Sequence, residues 1–169
     1  MVAVNRNISP HFLPHIKQSI PLTQHMGITD LYWDNQALKM HLALPPLVND
    51  KGTGFGGGIA AAATLLGWCH LTLLLQGIGQ ISPVVVGHSQ NQFKRPITSD
   101  LVMTCQALDA DSELGCLQDY MQGRRARLTL EVQVIENKEL AFWYQGQYIA
   151  LGNTSGAQNL SATGRTPTR

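Results

Sequence analysis

A loop rich in glycine precedes the longest apolar stretch of this 169-residue chain. Its residues include Asn49, Gly52, Thr53 and Phe55, followed by three consecutive glycines at positions 56–58. If the apolar stretch is a helix, its first N–H groups have no partner within the helix and lie at the positive end of the helix dipole. Glycine lets a bound molecule approach such a backbone closely. Donors of this kind stabilise the oxyanion that forms when a carbonyl is attacked, so the loop predicts chemistry on an acyl group.

Two polar residues in this loop could act on a water molecule. The carboxamide of Asn49 can orient the water, and Asp50, the one carboxylate between positions 49 and 58, can take its proton. Spacing alone also allows a loop whose glycines serve packing and nothing else. A phosphate-binding loop is disfavoured, because Lys51 precedes the glycines and no Lys-Ser or Lys-Thr pair follows them.

Other polar and aromatic residues are weaker candidates. Asn91 and Phe93 lie on a predicted strand and could face a substrate or the edge of a second copy. His70 lies among leucines, which indicates a core or interface histidine. We assign structural roles to His25 and His88, the latter on a strand expected near the centre of the sheet. His, Cys and carboxylate residues do not cluster at metal-ligand spacing, so we predict neither a metal site nor a cofactor.

The elements that must position these residues follow an α+β order. Residues 9–20 predict a first helix, with Ser9 as its cap and Pro10 at its first position. Residues 57–76 are apolar on nearly every side, which indicates a central helix that is buried all round. Residues 112–121 form either a short helix or a loop. Alternating and β-branched patterns predict strands at residues 26–33, 37–44, 84–94, 101–108, 124–135 and 140–151.

Composition limits the broad class of the protein. With 44% hydrophobic and 14% charged residues, the chain can build the core of a single domain over residues 1–151. A net charge of +1 gives no reason to expect nucleic acid or a membrane surface as partner. The polar residues 152–169 predict a flexible tail. Three cysteines at no zinc spacing and the absence of an apolar leader favour the cytoplasm.

At this point the chain resembles a known family. The pattern Asn-x-x-Gly-Thr-x-Phe-Gly-Gly at residues 49–57, the Gly67-Trp68 pair of the helix and the element order are similar to hot-dog-fold acyl-CoA thioesterases. The nearest branch is a bacterial group of thioesterase domains that is sometimes fused behind an acetyltransferase domain, which this chain lacks. The resemblance spans residues 9–151.

The resemblance implies a curved antiparallel sheet wrapped around one long buried helix. It implies protomers paired edge to edge, as a homodimer or a dimer of dimers, with an acyl-CoA or acyl-carrier substrate between them. In such enzymes a backbone N–H of the second glycine of the Gly-Gly pair faces the thioester carbonyl. That glycine is Gly57 here, with Gly58 beside it, and the loop asparagine is Asn49.

The chain also departs from its relatives at the expected base. Phenylacetate-pathway thioesterases have His-Gly-Gly where this chain has Phe55-Gly56-Gly57, and a helix carboxylate where it has Thr64. Residues 59–76 contain no Asp or Glu. Either Asp50 or a water held by Asn49 and Thr64 replaces the missing helix carboxylate in the reaction, or the domain binds acyl groups without hydrolysing them. A hot-dog dehydratase is disfavoured, since it needs a helix Glu as well.

The sequence therefore predicts a thioester hydrolase with two sets of site residues. The catalytic set is Asn49, Asp50, Gly57 and Thr64. The substrate-binding set is Phe55, Gly56, Gly58, Asn91 and Phe93.

Overall fold

Three α-helices and six strands make up the protein, in a computed structural model that describes residues 4–152. The helices are α1 (Phe12–Ser19), α2 (Gly56–Gly77) and α3 (Ala110–Met121). The strands are β1 (Ile28–Asp34), β2 (Ala37–Leu42), β3 (Val84–Phe93), β4 (Leu101–Ala107), β5 (Ala126–Glu136) and β6 (Glu139–Ala150). Short 3₁₀ helices occupy Pro21–His25 and Pro45–Leu47. The predicted tail lies outside the described residues, except for Gly152.

All six strands join one antiparallel sheet in the order β1-β2-β4-β5-β6-β3. The sheet is curved, and α2 packs across its concave face. Side chains that alternate along the strands, such as Met40, Met103, Val132 and Phe142, are fully buried beneath α2. The predicted α+β class and the sheet around one long helix are confirmed.

Helix α2 is not buried all round, contrary to the prediction. Gly57 is exposed, and Ala61, Thr64 and Trp68 are only partly buried, at intervals of three or four residues that place them on one side of the helix. The sheet covers the remaining sides. By length and composition α2 could cross a membrane, but 67% of its most apolar window is buried against the protein, as in a core helix.

Two expectations about helices needed a correction or a decision. Helix α1 begins at Phe12 with His11 as its N-cap, because Ser9 forms the turn before it and accepts the Phe12 N–H on its carbonyl. The segment left open as helix or loop is α3, which the side chain of Asp109 caps by accepting the N–H groups of Asp111 and Ser112.

The strand that carries His88 is an edge strand, not a central one. Strand β6, the last in the chain, inserts between β5 and β3, and so leaves β3 at the border of the sheet. The run of valines that opens β3 looked like a buried strand, yet Val85 and Val86 are exposed.

A buried ionic cluster fastens the N-terminal segment to the end of the domain remote from the glycine loop. Glu113 of α3 contacts His70 of α2 at 2.6 Å and Arg6 at 2.5 Å, and its side chain is only 8% exposed. The Arg6 guanidinium also lies 4.4 Å from the centre of the Trp33 ring. Burial lowers the pKa of His70, so the imidazole is neutral and the ion pair is that of Arg6 and Glu113. This confirms a structural role for His70.

We expect Glu113→Gln to lower the free energy of unfolding by about 2–3 kcal/mol, because it leaves the partly buried Arg6 charge without its counter-ion. The matched control is Glu139→Gln, which breaks an ion pair with Arg95 in which both side chains are about half exposed; its effect should stay under about 1 kcal/mol. Urea denaturation of the two variants and the parent measures both. Equal losses would show that the cluster contributes no more than a surface pair.

Candidate active site

Asn49 organises the glycine loop through its carboxamide. The Oδ1 atom accepts the N–H of Lys51 at 2.8 Å and that of Thr53 at 3.2 Å, while Nδ2 contacts the Thr53 hydroxyl at 3.0 Å. The main chain closes the same turn, since the Asn49 N–H donates to the Thr53 carbonyl at 2.7 Å. The carboxamide therefore fixes the loop, and it can hold a water only if one of these bonds opens.

Asp50 lies at the tip of this turn, with its side chain 79% exposed. Its carboxylate contacts the ammonium group of Lys51 at 2.9 Å. An ion pair between exposed neighbours is weak and is easily exchanged for water or a ligand. Within residues 4–152, no hydrogen bond joins Asp50 to Thr64, so the structure does not by itself bring these two predicted residues together.

The N-terminus of α2 is open to a ligand. Phe55 is its N-cap, and the Phe55 carbonyl accepts the N–H of Ile59 at 3.0 Å. No side chain caps the helix within the part of the chain that the structure describes. The N–H groups of residues 56–58 therefore remain available at the positive end of the helix dipole, and Gly57 is exposed to solvent.

The three glycines are surrounded by apolar side chains at contact distance. A Cβ atom at Gly56 would lie 3.1 Å from the ring of Phe93, and one at Gly57 would lie 2.8 Å from the ring of Phe55. A Cβ at Gly58 would meet Leu47 at 2.9 Å. The structure thus assembles all five of these predicted site positions: Phe55, Gly56, Gly57, Gly58 and Phe93.

Strand β3 presents Asn91 to the same side as α2. Asn91 pairs with Tyr144 of β6, and residues directly opposite in an antiparallel pair point to the same face. Tyr144 is buried beneath α2, so Asn91 lies on the concave face, as does Ser89, the partner of Gly146. Both are exposed, and they add polar groups to the gap between β3 and α2. His88 pairs with Gln147 on the convex face, away from this gap.

Thr64 is held in place by a tyrosine pair. The Tyr148 hydroxyl donates to the Thr64 carbonyl at 2.9 Å and lies 2.9 Å from the Tyr144 hydroxyl. Burial raises the pKa of Tyr148, so its phenol stays protonated and serves as a donor. The Thr64 hydroxyl donates to the Ala60 carbonyl at 2.9 Å, which leaves its oxygen as an acceptor toward the gap.

Tyr148 reaches α2 because a glycine stands opposite it. A Cβ at Gly67 would lie only 2.3 Å from the Tyr148 ring and hydroxyl. Sequence reasoning missed this contact, although the alternation of Tyr144, Gly146 and Tyr148 in β6 does place all three on one face.

Two cavities lie along α2 and β3. One of about 340 Å³ adjoins the helix N-terminus and is lined by Thr53, Gly56, Phe93, Lys94 and Arg95. The other, of about 440 Å³, lies further along and is bordered by residues of both elements. Its α2 residues are Ala61, Thr64, Leu65 and Trp68, and its β3 residues are Val84, Val85 and Val86. Thr64 borders the second cavity and lies on the same side of α2 as Gly57.

The cysteines offer no nucleophile to this site. Cys69, Cys105 and Cys116 are buried and unpaired. Burial raises the pKa of each thiol, that of Cys116 to about 12, so the reactive thiolate is not populated.

Comparisons with known proteins place these features in context. Residues 11–152 match the model of the family YiiD_C, described as "Putative thioesterase (yiiD_Cterm)". A "putative thioesterase" from Shewanella oneidensis is 27% identical, with a TM-score of 0.72 over 82% of this chain and 93% of that one. A protein of unknown function from Chlorobaculum tepidum is 23% identical, with a TM-score of 0.76 over 83% and 91%. A thioesterase from Haemophilus influenzae is 15% identical, with a TM-score of 0.68 over 90% and 96%, which shows a shared fold.

We expect Gly67→Ala and Gly57→Ala to differ sharply in melting temperature. The new methyl at position 67 collides with the buried ring of Tyr148, which should lower the free energy of unfolding by about 1–3 kcal/mol. The new methyl at position 57 meets only Phe55, a 55% exposed side chain that can turn away. Thermal denaturation followed by circular dichroism measures both. If Gly57→Ala melts as early as Gly67→Ala, the loop glycines serve packing rather than access.

Proposed function

Because the chain belongs to the YiiD_C thioesterase family, we propose that it hydrolyses the thioester of an acyl-CoA or of an acyl carrier protein. The observation that supports this most directly is the uncapped N-terminus of α2, where three glycines leave N–H donors available beside a polar gap and two cavities. A substrate carbonyl placed over these donors is polarised by them and by the helix dipole.

In the proposed reaction, a water oxygen attacks the thioester carbon while the carbonyl electrons move onto oxygen. The N–H of Gly57 stabilises the resulting oxyanion, with Gly56 and Gly58 lining its approach. Collapse of this intermediate breaks the C–S bond. The leaving thiolate takes up a proton, and the acid product departs.

The attacking water is held, in this proposal, by Thr64 and Asn91. Since the Thr64 hydroxyl hydrogen is already donated to a carbonyl of its own helix, its oxygen accepts a hydrogen from the water. Asn91 faces the same gap from β3. Asp50 is the proposed base, because α2 contains no carboxylate and the loop contains no other. It would approach the water when the bound thioester covers the loop.

The basic end of the gap suits the phosphates of the substrate. Lys94 and Arg95 follow β3 directly and border the cavity next to the helix N-terminus. Coenzyme A and the phosphopantetheine arm of a carrier protein both carry phosphate at the end of the pantetheine arm that is remote from the thiol, a group that Lys and Arg bind through charged hydrogen bonds. This location favours a substrate whose head group lies at Lys94 and whose acyl group runs along α2.

A second candidate function is acyl-thioester binding without hydrolysis. The observation that favours it is the lack of any Asp or Glu on α2 combined with the exposed, lysine-paired position of Asp50. Such a module would bind the same ligands and release no thiol.

We also propose a homodimer joined through β3. As an edge strand, β3 has unpaired N–H and C=O groups along one side, and Val85, Val86 and Phe93 are 40%, 42% and 57% exposed. Pairing with a second β3 would satisfy these groups, continue the sheet and cover the gap beside α2.

Gly57→Val should lower kcat by about 10²–10³, since the branched side chain displaces the carbonyl from its donor. The control is Gly115→Val on α3, where an added Cβ meets nothing within 4 Å. Thiol release from acyl-CoA, measured beside the melting temperature on the same preparation, gives both quantities. Normal turnover per folded molecule in Gly57→Val would remove the oxyanion role from this glycine.

Asp50→Asn should lower kcat by about 10²–10⁴ with little change in KM, because an amide cannot accept a proton from water. Lys51→Gln serves as control, since it removes the ion-pair partner and keeps the carboxylate. Steady-state kinetics distinguish the two parameters. Turnover close to that of the parent in Asp50→Asn would show that the base lies elsewhere.

Sedimentation equilibrium should give a mass of at least twice the 18.5 kDa chain. Val85→Lys should shift the equilibrium toward the monomer, because a lysine on an edge strand opposes pairing. Val102→Lys, on the inner strand β4 and 38% exposed, is the control that should leave the mass unchanged. A monomer at micromolar concentration for the parent chain would reject the dimer.

A further inference from the structure

Helix α2 and strand β3 lie side by side and run in opposite directions. The position of Gly56 near the N-terminus of α2 adjoins the ring of Phe93 at the end of β3. Further along α2, the indole Nε1 of Trp68 donates to the carbonyl of Val84, the first residue of β3, at 3.0 Å. The gap between the two elements therefore has one end at the glycines and a closed end at Trp68.

The cavity of about 440 Å³ at the closed end has walls without a free donor. Three side chains that border it carry polar hydrogens, and each hydrogen goes to a main-chain carbonyl. Thr64 donates to Ala60, Trp68 to Val84 and Tyr148 to the carbonyl of Thr64. The remaining lining is aliphatic. A cavity of this kind favours hydrocarbon over water, because beyond the hydroxyl oxygen of Thr64 a water molecule there would find few partners.

We propose that this cavity holds the aliphatic chain of the acyl group, that Trp68 sets its maximum length and that Ala61 sets its width. This inference rests on the proposed function. The oxyanion donors of that function lie at the glycine end of the gap, on the same side of α2 as the cavity. It names the substrate class: straight-chain acyl groups of medium length. Polar or branched aromatic acyl groups fit these walls less well.

The length of the gap sets the size of the chain. Gly57 and Trp68 are eleven residues apart on α2, which corresponds to about 16 Å at 1.5 Å per residue. A carbon–carbon bond of about 1.5 Å advances a zigzag extended chain by about 1.3 Å, so about 12 carbons fit between the two residues. Trp68 is a firm end to the gap, since its indole is anchored by the bond to Val84.

Two variants change the cavity in opposite directions. Ala61→Leu adds three carbons inside the cavity and so displaces about three methylenes of a long acyl chain. Burial of one methylene favours binding by about fourfold. The value of kcat/KM for dodecanoyl-CoA should therefore fall roughly 50-fold more than that for butyryl-CoA. Trp68→Leu opens the closed end and should shift the optimum toward hexadecanoyl-CoA. Gln76→Leu places the same side chain at an exposed position of α2 outside the cavity and should leave the profile unchanged.

The experiment measures kcat/KM for straight-chain acyl-CoA substrates of 4–16 carbons with the parent chain and the three variants, with melting temperatures as a check on folding. An optimum at about 12 carbons that moves down in Ala61→Leu and up in Trp68→Leu supports the inference. If Ala61→Leu and Trp68→Leu hydrolyse the substrates with the same dependence of kcat/KM on chain length as the parent, the inference is overturned and the proposed function stays intact. The inference is also overturned if either cavity variant changes the mass in sedimentation while its dependence of kcat/KM on chain length stays that of the parent. The gap is then a contact between copies of the chain.

Binding of decanoate, followed by calorimetry, tests the cavity without turnover. If the parent hydrolyses neither acyl-CoA nor acyl carrier protein thioesters, the proposed function fails, and the decanoate result alone decides the inference. Weaker binding in Ala61→Leu than in Gln76→Leu then supports the cavity as an acyl site. Equal affinities in the two variants overturn it.

Discussion

The packing of α2 against the concave face of the sheet is the contact on which the rest of the structure depends. A 22-residue helix without a charged side chain is unstable in water and must be covered. Strands β2 to β6 pack against it, and the side left open carries Gly57 and Thr64, to which we assign chemistry. The same hydrophobic burial that builds the core therefore also determines where an opening can exist, because only the uncovered side of α2 is accessible to a ligand.

The close approach of the sheet to α2 depends on small residues and on one buried hydrogen bond. Gly67 leaves room for the ring of Tyr148, whose hydroxyl then bonds to the Thr64 carbonyl. This contact fixes the height of Thr64 relative to β6, and with it the distance to β3. At the start of the helix, the loop is held by Asn49 rather than by a helix cap. The donors thus remain available while the backbone around them is rigid.

Local sequence patterns were sufficient to predict the helices and strands, but they did not predict the order of the strands in the sheet. The alternation of Leu128, Leu130, Val132 and Val134 identified β5 without further information, because period two reports which side of a strand is buried. The place of β3 depends on where β6 inserts, which is a property of the whole fold. The valines that open β3 are typical of a central strand, yet Val85 and Val86 are exposed because they border a cavity and a sheet edge.

The candidate site was predictable at the level of its loop and not at the level of single atoms. Three glycines before an apolar helix indicated open N–H groups, and the structure places them so. The bonding of the Asn49 carboxamide within its own turn and the outward position of Asp50 depend on loop geometry that residue types do not reveal. The orientation of Asn91 followed only from its pairing with Tyr144 across two strands.

The anchoring of the N-terminal segment has a practical consequence. Asn5 donates to the carbonyl of Gly77, the last residue of α2, and Arg6 is held by Glu113 beside it. The helix between Gly56 and Gly77 is about 33 Å long at 1.5 Å per residue. A linker attached ahead of residue 4 would leave the molecule near the far end of that axis. Such a tether could immobilise the protein on a bead or a sensor chip while its glycine loop faces the bulk solution.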